Sequence, residues 1–317
     1  MNSFSIAFYN TENFFDIYND SEKLDNEYEP YGSRKWTQKR YDNKVWKISS
    51  VISELGLRET GHPPLIVGLA EIESEKVLKD LVESEHLKEY AYGFIHFVSK
   101  DERGMDTALL YRKNLVEMIH SEPIQNSFLR EDGREDFTRD VLYTEFKLEG
   151  NLIHCFTIHL PSRRDNDFNK DFRNSILETI RKKADDILEY NPLAQIIVMG
   201  DFNGNPTDVN AREILKTSEE EDFKNKEFFN PMLKMRYGNG TLKHEGRWIL
   251  FDQMLFSKSF FTKSGNFIQF QSAHIYKDKS IQDWDRRFKG SPFRTYAGTK
   301  YLGGYSDHFP IYAILNH

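Results

Sequence analysis

The chain has 317 residues, 38% of them hydrophobic, and a net charge of −7 at neutral pH, with a pI near 5.9. That length can bury a large core, so one large α/β domain is as consistent with it as two small ones. The acidic balance argues against a broad basic surface that coats nucleic acid, though not against a cleft holding one phosphodiester with a few Arg or Lys, and the single cysteine, Cys155, excludes an internal disulfide framework.

The predicted elements run as follows. The N-terminus enters a strand almost at once, without a basic region, an apolar stretch or a cleavage site, and no apolar run reaches 18 residues. The chain as given therefore reads as soluble and cytoplasmic, without stable membrane association or an obligate protein partner; trimming of a secretion signal would leave the same picture. Phe4–Tyr9 alternates apolar and small residues as a strand and runs into Asn10. A helix lies within Gln38 to Leu57, with Val45, Ile48, Ile52 and Leu55 inward. Pro64–Ala70 is a buried strand ending at Glu71, Val141–Phe146 is a strand just after Arg139, and Leu152–Ile158 is a strand that carries Cys155 and ends at His159. Phe168, Phe172, Ile176, Ile180, Ala184 and Leu188 recur every four residues, the apolar stripe of an amphipathic helix. Gln195–Met199 is a buried strand ended by Gly200, and Gly246–Phe251 leads through Asp252 into Gln253–Phe256. Phe309–Leu315 is the last strand, where Pro310 suits an edge or a first position. No internal repeat or long Pro/Gly/Ser linker divides the chain, so residues 1–317 read as one domain.

The polar residues gather at strand ends. In Val198-Met-Gly-Asp201-Phe-Asn203 an extended backbone would send the Asp201 carboxylate and the Asn203 amide to the same side. A carboxylate can take a proton from water or bind a metal, while an amide can donate to a phosphate oxygen. Asp-x-Asn is by itself more often a turn with its own side-chain hydrogen bond. Gly304-Tyr-Ser-Asp307-His308-Phe-Pro310 supplies a second such pair before a strand, and Asn10, Glu71, His159 and Asp252 finish or begin others. Together they read as one shared rim.

Six motifs, Tyr9-Asn10-Thr-Glu-Asn13, Leu69-Ala-Glu71, Thr157-Ile-His159-Leu, Gly200-Asp201-Phe-Asn203, Phe251-Asp252-Gln and Ser306-Asp307-His308-Phe-Pro310, follow one another in order from residue 10 to residue 310. In this the chain resembles the endonuclease/exonuclease/phosphatase superfamily, and the wording of its first motif and of Arg103-Gly-Met-Asp106-Thr-Ala-Leu-Leu-Tyr111 is similar to an uncharacterised bacterial branch. The resemblance implies an α/β (α+β) fold: a four-layered αββα sandwich of two packed, mainly antiparallel sheets flanked by helices. It also implies a Mg2+-dependent hydrolase of phosphoester bonds, with Mn2+ as a substitute ion. Glu71 is then the principal metal ligand, a hard oxygen for a hard ion, and Asn10 and Asp307 complete or flank the site. Asp201 is the general base, with Asn203 steadying water or phosphate. His308 donates to a phosphate oxygen while Asp252 accepts from its other ring nitrogen, and His159 holds a second phosphate-facing position. Arg139 stands where some relatives contact phosphate, against a surface ion pair with Asp136 or Asp140 as the alternative. Asp106 departs from the Gly or Glu of better-known relatives and is read as orienting His159 or touching the metal.

Substrate choice should lie in three insertions, Asn19 to Trp36, Arg236 to Trp248 and Tyr276 to Tyr305. The third holds seven Lys or Arg against three Asp, interleaved with Trp284, Phe288, Phe293, Tyr296, Tyr301 and Tyr305. Cations for phosphates and rings for bases suit a single-stranded or flipped nucleotide; a loop pinned by its aromatics, with a solvated charged face, is the equal alternative. The expected substrate is thus nucleic acid, with a small or lipid-linked phosphate as the runner-up. A catalytically silent scaffold is disfavoured because all eight of Asn10, Glu71, His159, Asp201, Asn203, Asp252, Asp307 and His308 are present.

Overall fold

The structure, a computed structural model, describes residues 3–18, 23–129, 133–163, 167–235, 238–263, 265–286 and 288–317. Within the three insertions, residues 19–22, 236, 237 and 287 lie outside the described residues. The first half of the chain gives strands β1 (Ser3–Phe14), β2 (Ile66–Ile72), β3 (Tyr92–His96), β4 (Asp106–Arg112), β5 (Glu117–Ile124) and β6 (Val141–Leu148). The second half gives β7 (Asn151–His159), β8 (Gln195–Asp201), β9 (Thr217–Ser218), β10 (Phe228–Phe229), β11 (Asp252–Phe256), β12 (Gln269–Ile275) and β13 (Ile311–Asn316). The main helices are α1 (Gln38–Glu54), α2 (Glu75–Val82) and α3 (Lys170–Tyr190).

Two sheets result, ordered β12-β13-β1-β2-β4-β3 and β9-β10-β11-β8-β7-β6-β5. Each has a parallel pair at its centre, β1 with β2 and β7 with β8, and the second sheet has a short parallel pair at its edge, β9 with β10. Antiparallel neighbours flank both pairs: β13 and β4 in the first sheet, β11 and β6 in the second.

The period-2 alternation of the strands fills three separate core layers. Phe4, Ile6 and Phe8 of β1 face Met199 and Met254 of the other sheet in the layer between the sheets. Ala7 and Tyr9, the intervening residues, pack under α1 and α2 through Tyr41, Ile48, Ile52, Val77 and Leu81. Val198 and Ile196 of β8 pack under α3 through Phe172, Ile176, Ile180, Ala184 and Leu188. The sheets approach closely at Gly68, where a Cβ would stand 2.9 Å from the Met199 methyl. This is the four-layered sandwich.

One part of the helix stripe differs from expectation. Phe168 is 68% exposed and precedes α3, which begins at Lys170, so it stands in the preceding turn and the stripe starts at Phe172. Gly246–Phe251 is likewise not one strand: Leu242–His244 and Arg247–Ile249 form a hairpin, and β11 starts afresh at Asp252.

The topology dictates where polar strand ends meet. β1, β2, β7 and β8 all point the same way at the centre of the sandwich, so their C-terminal ends share one rim. β4, β6, β11 and β13 run antiparallel to these neighbours, so the same rim carries their N-terminal ends. Asn10, Glu71, His159 and Asp201 therefore come to lie beside Asp106, Arg139, Asp140, Asp252, Asp307 and His308.

Candidate active site

At this rim the chain leaves regular geometry. β1 continues beyond Asn10 to Phe14, but its pairing with β2 slips between Asn10 and Phe14. Glu12 (φ 54°), Asn13 (φ 48°), Glu71 (φ 63°) and Asn203 (φ 44°) are non-glycine residues with left-handed backbone. Such strain costs on the order of 1–3 kcal/mol per residue and persists where the surroundings over-determine it. Gly200 is required by close approach: a Cβ there would stand 2.1 Å from the Ile158 carbonyl oxygen.

The centre is built round the Asn10 amide. Its Nδ2 donates to Asp201 Oδ2 at 3.0 Å and to Glu71 Oε1 at 3.4 Å, while its Oδ1 accepts from the Glu12 amide at 3.0 Å. The Glu71 carboxylate is held from the other side by the Asn13 N–H at 2.6 Å. His159 Nε2 stands 3.7 Å from Asp201 Oδ2 and 3.9 Å from Glu71 Oε1, and its buried Nδ1 has no hydrogen-bond partner. His308 Nδ1 meets Asp252 Oδ2 at 2.7 Å, leaving Nε2 3.9 Å from Asp201 Oδ2. Ser306 steadies this loop: its Oγ donates to the Asn10 carbonyl at 2.6 Å and accepts the His308 N–H at 3.0 Å.

The electrostatics separate the two histidines. Burial alone would depress His308, but the charge and hydrogen bond of Asp252, with Asp201 and Asp307 nearby, outweigh it and hold the ring well above the ordinary histidine range. It is an imidazolium at neutral pH. Burial, with the guanidiniums of Arg139 and Arg103, pushes His159 well below that range, so it is neutral. Burial raises Asp201, opposed by His308 and supported by Asp252.

Several expected roles take a different form. Asp201 and Asn203 do not share one side of an extended strand. Asn203 turns left-handed, its N–H donates to Asp201 Oδ1 at 2.8 Å, and its side-chain Nδ2 donates to the Leu160 carbonyl at 2.8 Å. The Asp-x-Asn turn and the site are thus the same object. Asp106 accepts from the Ser99 amide at 3.2 Å and stands 3.4 Å from His96 Nε2, so it is engaged by Ser99 and His96 rather than by His159. Arg139 is no surface residue. It is buried, lies 3.8 Å from Asp101 rather than on Asp136 or Asp140, and has a buried Nε without a hydrogen-bond partner. Asp307 accepts from Arg294 Nη2 at 2.7 Å.

Three residues at or behind the rim are not singled out as site residues by the sequence reading. Arg103 Nη2 donates to Asn13 Oδ1 at 2.6 Å, within the electrostatic reach of His159 already noted. Glu12 is buried, accepts from the Thr295 N–H at 2.6 Å, and lies 3.7 Å from the Arg294 Nε. Lys44, buried inside α1, donates to Thr295 Oγ1 at 2.5 Å and to the Tyr305 carbonyl at 2.6 Å. Glu12 and Arg103 sit inside the quoted motif strings, which is a usable signal; Lys44, three residues after Tyr41 and four before Ile48, lies at the edge of the inward face of α1, with nothing in the sequence to mark its partners.

The donor set suits a hard divalent cation. Glu71 and Asp201 bring carboxylate oxygens to one amide, within 4 Å of the same imidazole nitrogen. Asp201, Asp252 and His308 also form a group whose ligand atoms lie within 4.8 Å of one another. In that group the 2.7 Å contact between His308 Nδ1 and Asp252 Oδ2 spends both atoms on each other, so it reads better as a hydrogen-bonded dyad beside the cation position.

An imidazolium held by a carboxylate, a buried carboxylate facing it and the Glu71 carboxylate beside them, all on the rim of a two-sheet sandwich, are the groups that a hydrolase of phosphoesters needs. Residues 5–317 match the Endonuclease/Exonuclease/phosphatase family, and the chain belongs to that family. Similar solved structures include D. rerio TDP2 in complex with a single-strand DNA product, 17% identical, TM-score 0.58, covering 99% of each chain. They also include a family protein from Bacteroides thetaiotaomicron, 17% identical, TM-score 0.60, covering 99% of this chain and 94% of that one. A mannosyl-6-phosphatase from the same organism is 16% identical, with a TM-score of 0.59 and coverage of 99% and 100%. At these identities the likeness is one of fold. No curated protein sequence matches the chain.

The basic aromatic segment 276–305 divides in two. Tyr296 is buried and packs edge-on against Tyr28 and Tyr301, while Lys47 lies over the Tyr305 and Phe293 rings. These aromatics pin the segment to the α1 side of the sandwich. Trp284 (66%) and Phe288 (49%) keep large exposed areas. Among the described residues no helix is long and apolar enough to cross a membrane.

Proposed function

We propose that this chain is a Mg2+-dependent nuclease, with Mn2+ able to substitute, that hydrolyses phosphodiesters of single-stranded nucleic acid, and that residues 1–317 form one catalytic domain. The observation that carries the chemistry is the His308–Asp252 contact facing Asp201 across the rim. Glu71, with Asn10 and Asp307, would hold the ion. When bound, the cation supplies charge neutralisation at a non-bridging phosphoryl oxygen.

The chain's own residues do the rest. Asp201 accepts a proton from the water whose oxygen bonds to phosphorus, as the ester P–O bond breaks and the leaving oxygen takes up a proton. His308 donates from Nε2 to a phosphoryl oxygen as its charge grows, and Asp252 fixes the ring with Nδ1–H inward. His159, neutral, and the buried Arg139 face the same phosphate, and Asn203 holds the Asp201 turn and the water beside it. Asp106 acts indirectly, by ordering the loop through Ser99 and His96. Nucleic acid is favoured by the exposed Trp284 and Phe288 within a basic segment.

A second reading, hydrolysis of a small phosphomonoester, is favoured by the pinning of Tyr296 and Tyr305, which makes that half of the segment a fixed wall. Purified protein given single-stranded DNA, single-stranded RNA, bis-p-nitrophenyl phosphate and sugar phosphates, with EDTA and then with Mg2+, separates the readings. The nuclease reading requires oligonucleotide cleavage that EDTA abolishes and Mg2+ restores, and Glu71→Gln should weaken the metal response while the protein stays folded. Full activity in EDTA, or turnover of sugar phosphates alone, would defeat it.

A further inference from the structure

Beside the rim lies a cleft of about 500 Å³ between the hairpin Leu242–His244/Arg247–Ile249 and the segment that leads to Asp307. We propose that this cleft receives the terminal nucleoside of a single-stranded nucleic acid, so that the enzyme removes nucleotides from a strand end rather than cutting within the strand. The proposal rests on the nuclease reading above and adds where the strand must stop.

The first argument is position. Asp307 stands in the wall of the cleft and is the chain neighbour of His308, so a group in the cleft adjoins the phosphate that His308 faces. Arg294, also in the wall, donates to Asp307 and reaches Glu12 behind Asn10.

The second is chemistry and size. Leu242, Phe288, Pro292, Ala297 and Leu302 give the cleft an apolar lining, a surface for a flat ring. Lys243, His244 and Asp283 supply donors and acceptors around it. Pockets of this volume take one compact organic ligand, which matches one nucleotide and not a continuing polymer.

The third is rigidity. The wall residues 294–305 are tied to the catalytic strand β1 by the Thr295 N–H on Glu12, to α1 by Lys44 on Thr295 and Tyr305, and to one another by the Leu302 N–H on the Thr295 carbonyl at 2.9 Å. The cleft is therefore preformed rather than assembled on binding.

The opposite side of the rim differs in kind. There, at the ends of β7 and β8, a smaller cleft of about 250 Å³ brings Arg163, Lys170 and Arg173 together with Asp167 and Asp208. Arg163 is paired with Asp208 and Arg173 with Asp167, which leaves Lys170 as the cation that can meet a phosphate of the continuing strand. Each cycle adds one water, breaks one P–O bond, and releases one nucleotide and a strand shorter by one.

The test uses the whole protein with Mg2+ on end-labelled linear single-stranded DNA and on closed circular single-stranded DNA. Linear DNA should shorten one nucleotide at a time from one end, and circles should resist. Ala297→Trp, which fills the cleft from an exposed position, should raise KM for the linear strand roughly tenfold or more, the worth of one lost base stack, with kcat little changed. Phe288→Ala, a second and independent variant, should raise KM in the same direction. Circles cut as fast as linear strands, internal fragments appearing first, or an unaltered KM in both variants would overturn the proposal while leaving the nuclease reading intact. No cleavage of either DNA by wild-type protein that still hydrolyses bis-p-nitrophenyl phosphate would instead overturn the nuclease reading, and this proposal with it.

Discussion

Replacing Asp252 by Asn removes one charge from the His308 dyad and nearly nothing in volume. In the wild-type protein His308 Nδ1 and Asp252 Oδ2 are 2.7 Å apart and both residues are buried, so the bond is charge-assisted and shielded from water. Such a bond contributes about 1.5–3 kcal/mol, which corresponds to a loss of roughly tenfold to 150-fold in rate if it acts chiefly in the transition state. The pH profile should move as well. His308 is held above its ordinary range chiefly by Asp252, against the effect of burial. It keeps its proton through neutral pH, and activity should fall only when alkaline conditions remove it. In Asp252→Asn the proton is lost at lower pH, so the alkaline limb of kcat/KM should shift toward acid. The assay is hydrolysis of bis-p-nitrophenyl phosphate at saturating Mg2+ across the pH range. A variant profile that superimposes on wild type, in height and in alkaline limb, would show that the dyad does not tune His308.

Three further outcomes follow from the packing and charge of the same structure. Lys44→Met should leave the Thr295 hydroxyl and the Tyr305 carbonyl without their buried donor and remove one of the two cations near Glu12, Arg294 being the other; the cost should be about 1–3 kcal/mol, read as a lower urea midpoint, and Glu12→Gln in the same chain should restore part of the loss. Ile180→Ala, in the core under α3, should cost about 2–5 kcal/mol, whereas Phe168→Ser should stay within about 0.5 kcal/mol because that ring is exposed; thermal unfolding compares them directly. Arg286→Ala with Lys289→Ala should raise KM for single-stranded DNA and flatten its salt dependence, and a salt slope equal to that of wild type would remove this segment from strand binding.

The rim was legible in the sequence because topology, rather than detail, creates it. Apolar runs that end in Asn10, Glu71, His159 and Asp201 announce strands that finish in chemistry, and parallel central pairs bring such ends together. The stripe from Phe172 to Leu188 is equally plain, since a helix that covers a sheet needs one apolar face. What stayed hidden depends on local backbone and on long-range partners. Phe168 continues the four-residue spacing, yet the helix starts two residues later, and spacing alone does not mark a helix start. Asn203 was misplaced because period 2 assumes extended backbone, while the residue turns left-handed to donate to Asp201. Lys44 looks like any solvated lysine until Thr295 and Tyr305, some 250 residues away, close over it. The aromatics of 276–305 could not be sorted by sequence into the pinned Tyr296 and the exposed Trp284, because the distinction lies in what Tyr28, Trp36 and Lys47 do from the other end of the chain.

The role proposed for Asp201 is to take the proton from the attacking water at this rim. Turnover of Asp201→Asn on bis-p-nitrophenyl phosphate with Mg2+, beside wild type and with folding checked by circular dichroism, tests it most directly. The expected result is a fall of at least ~10²-fold in kcat, the low end for removing a positioned catalytic base, in a protein that remains folded. A folded Asp201→Asn variant that turns over as fast as wild type would contradict it.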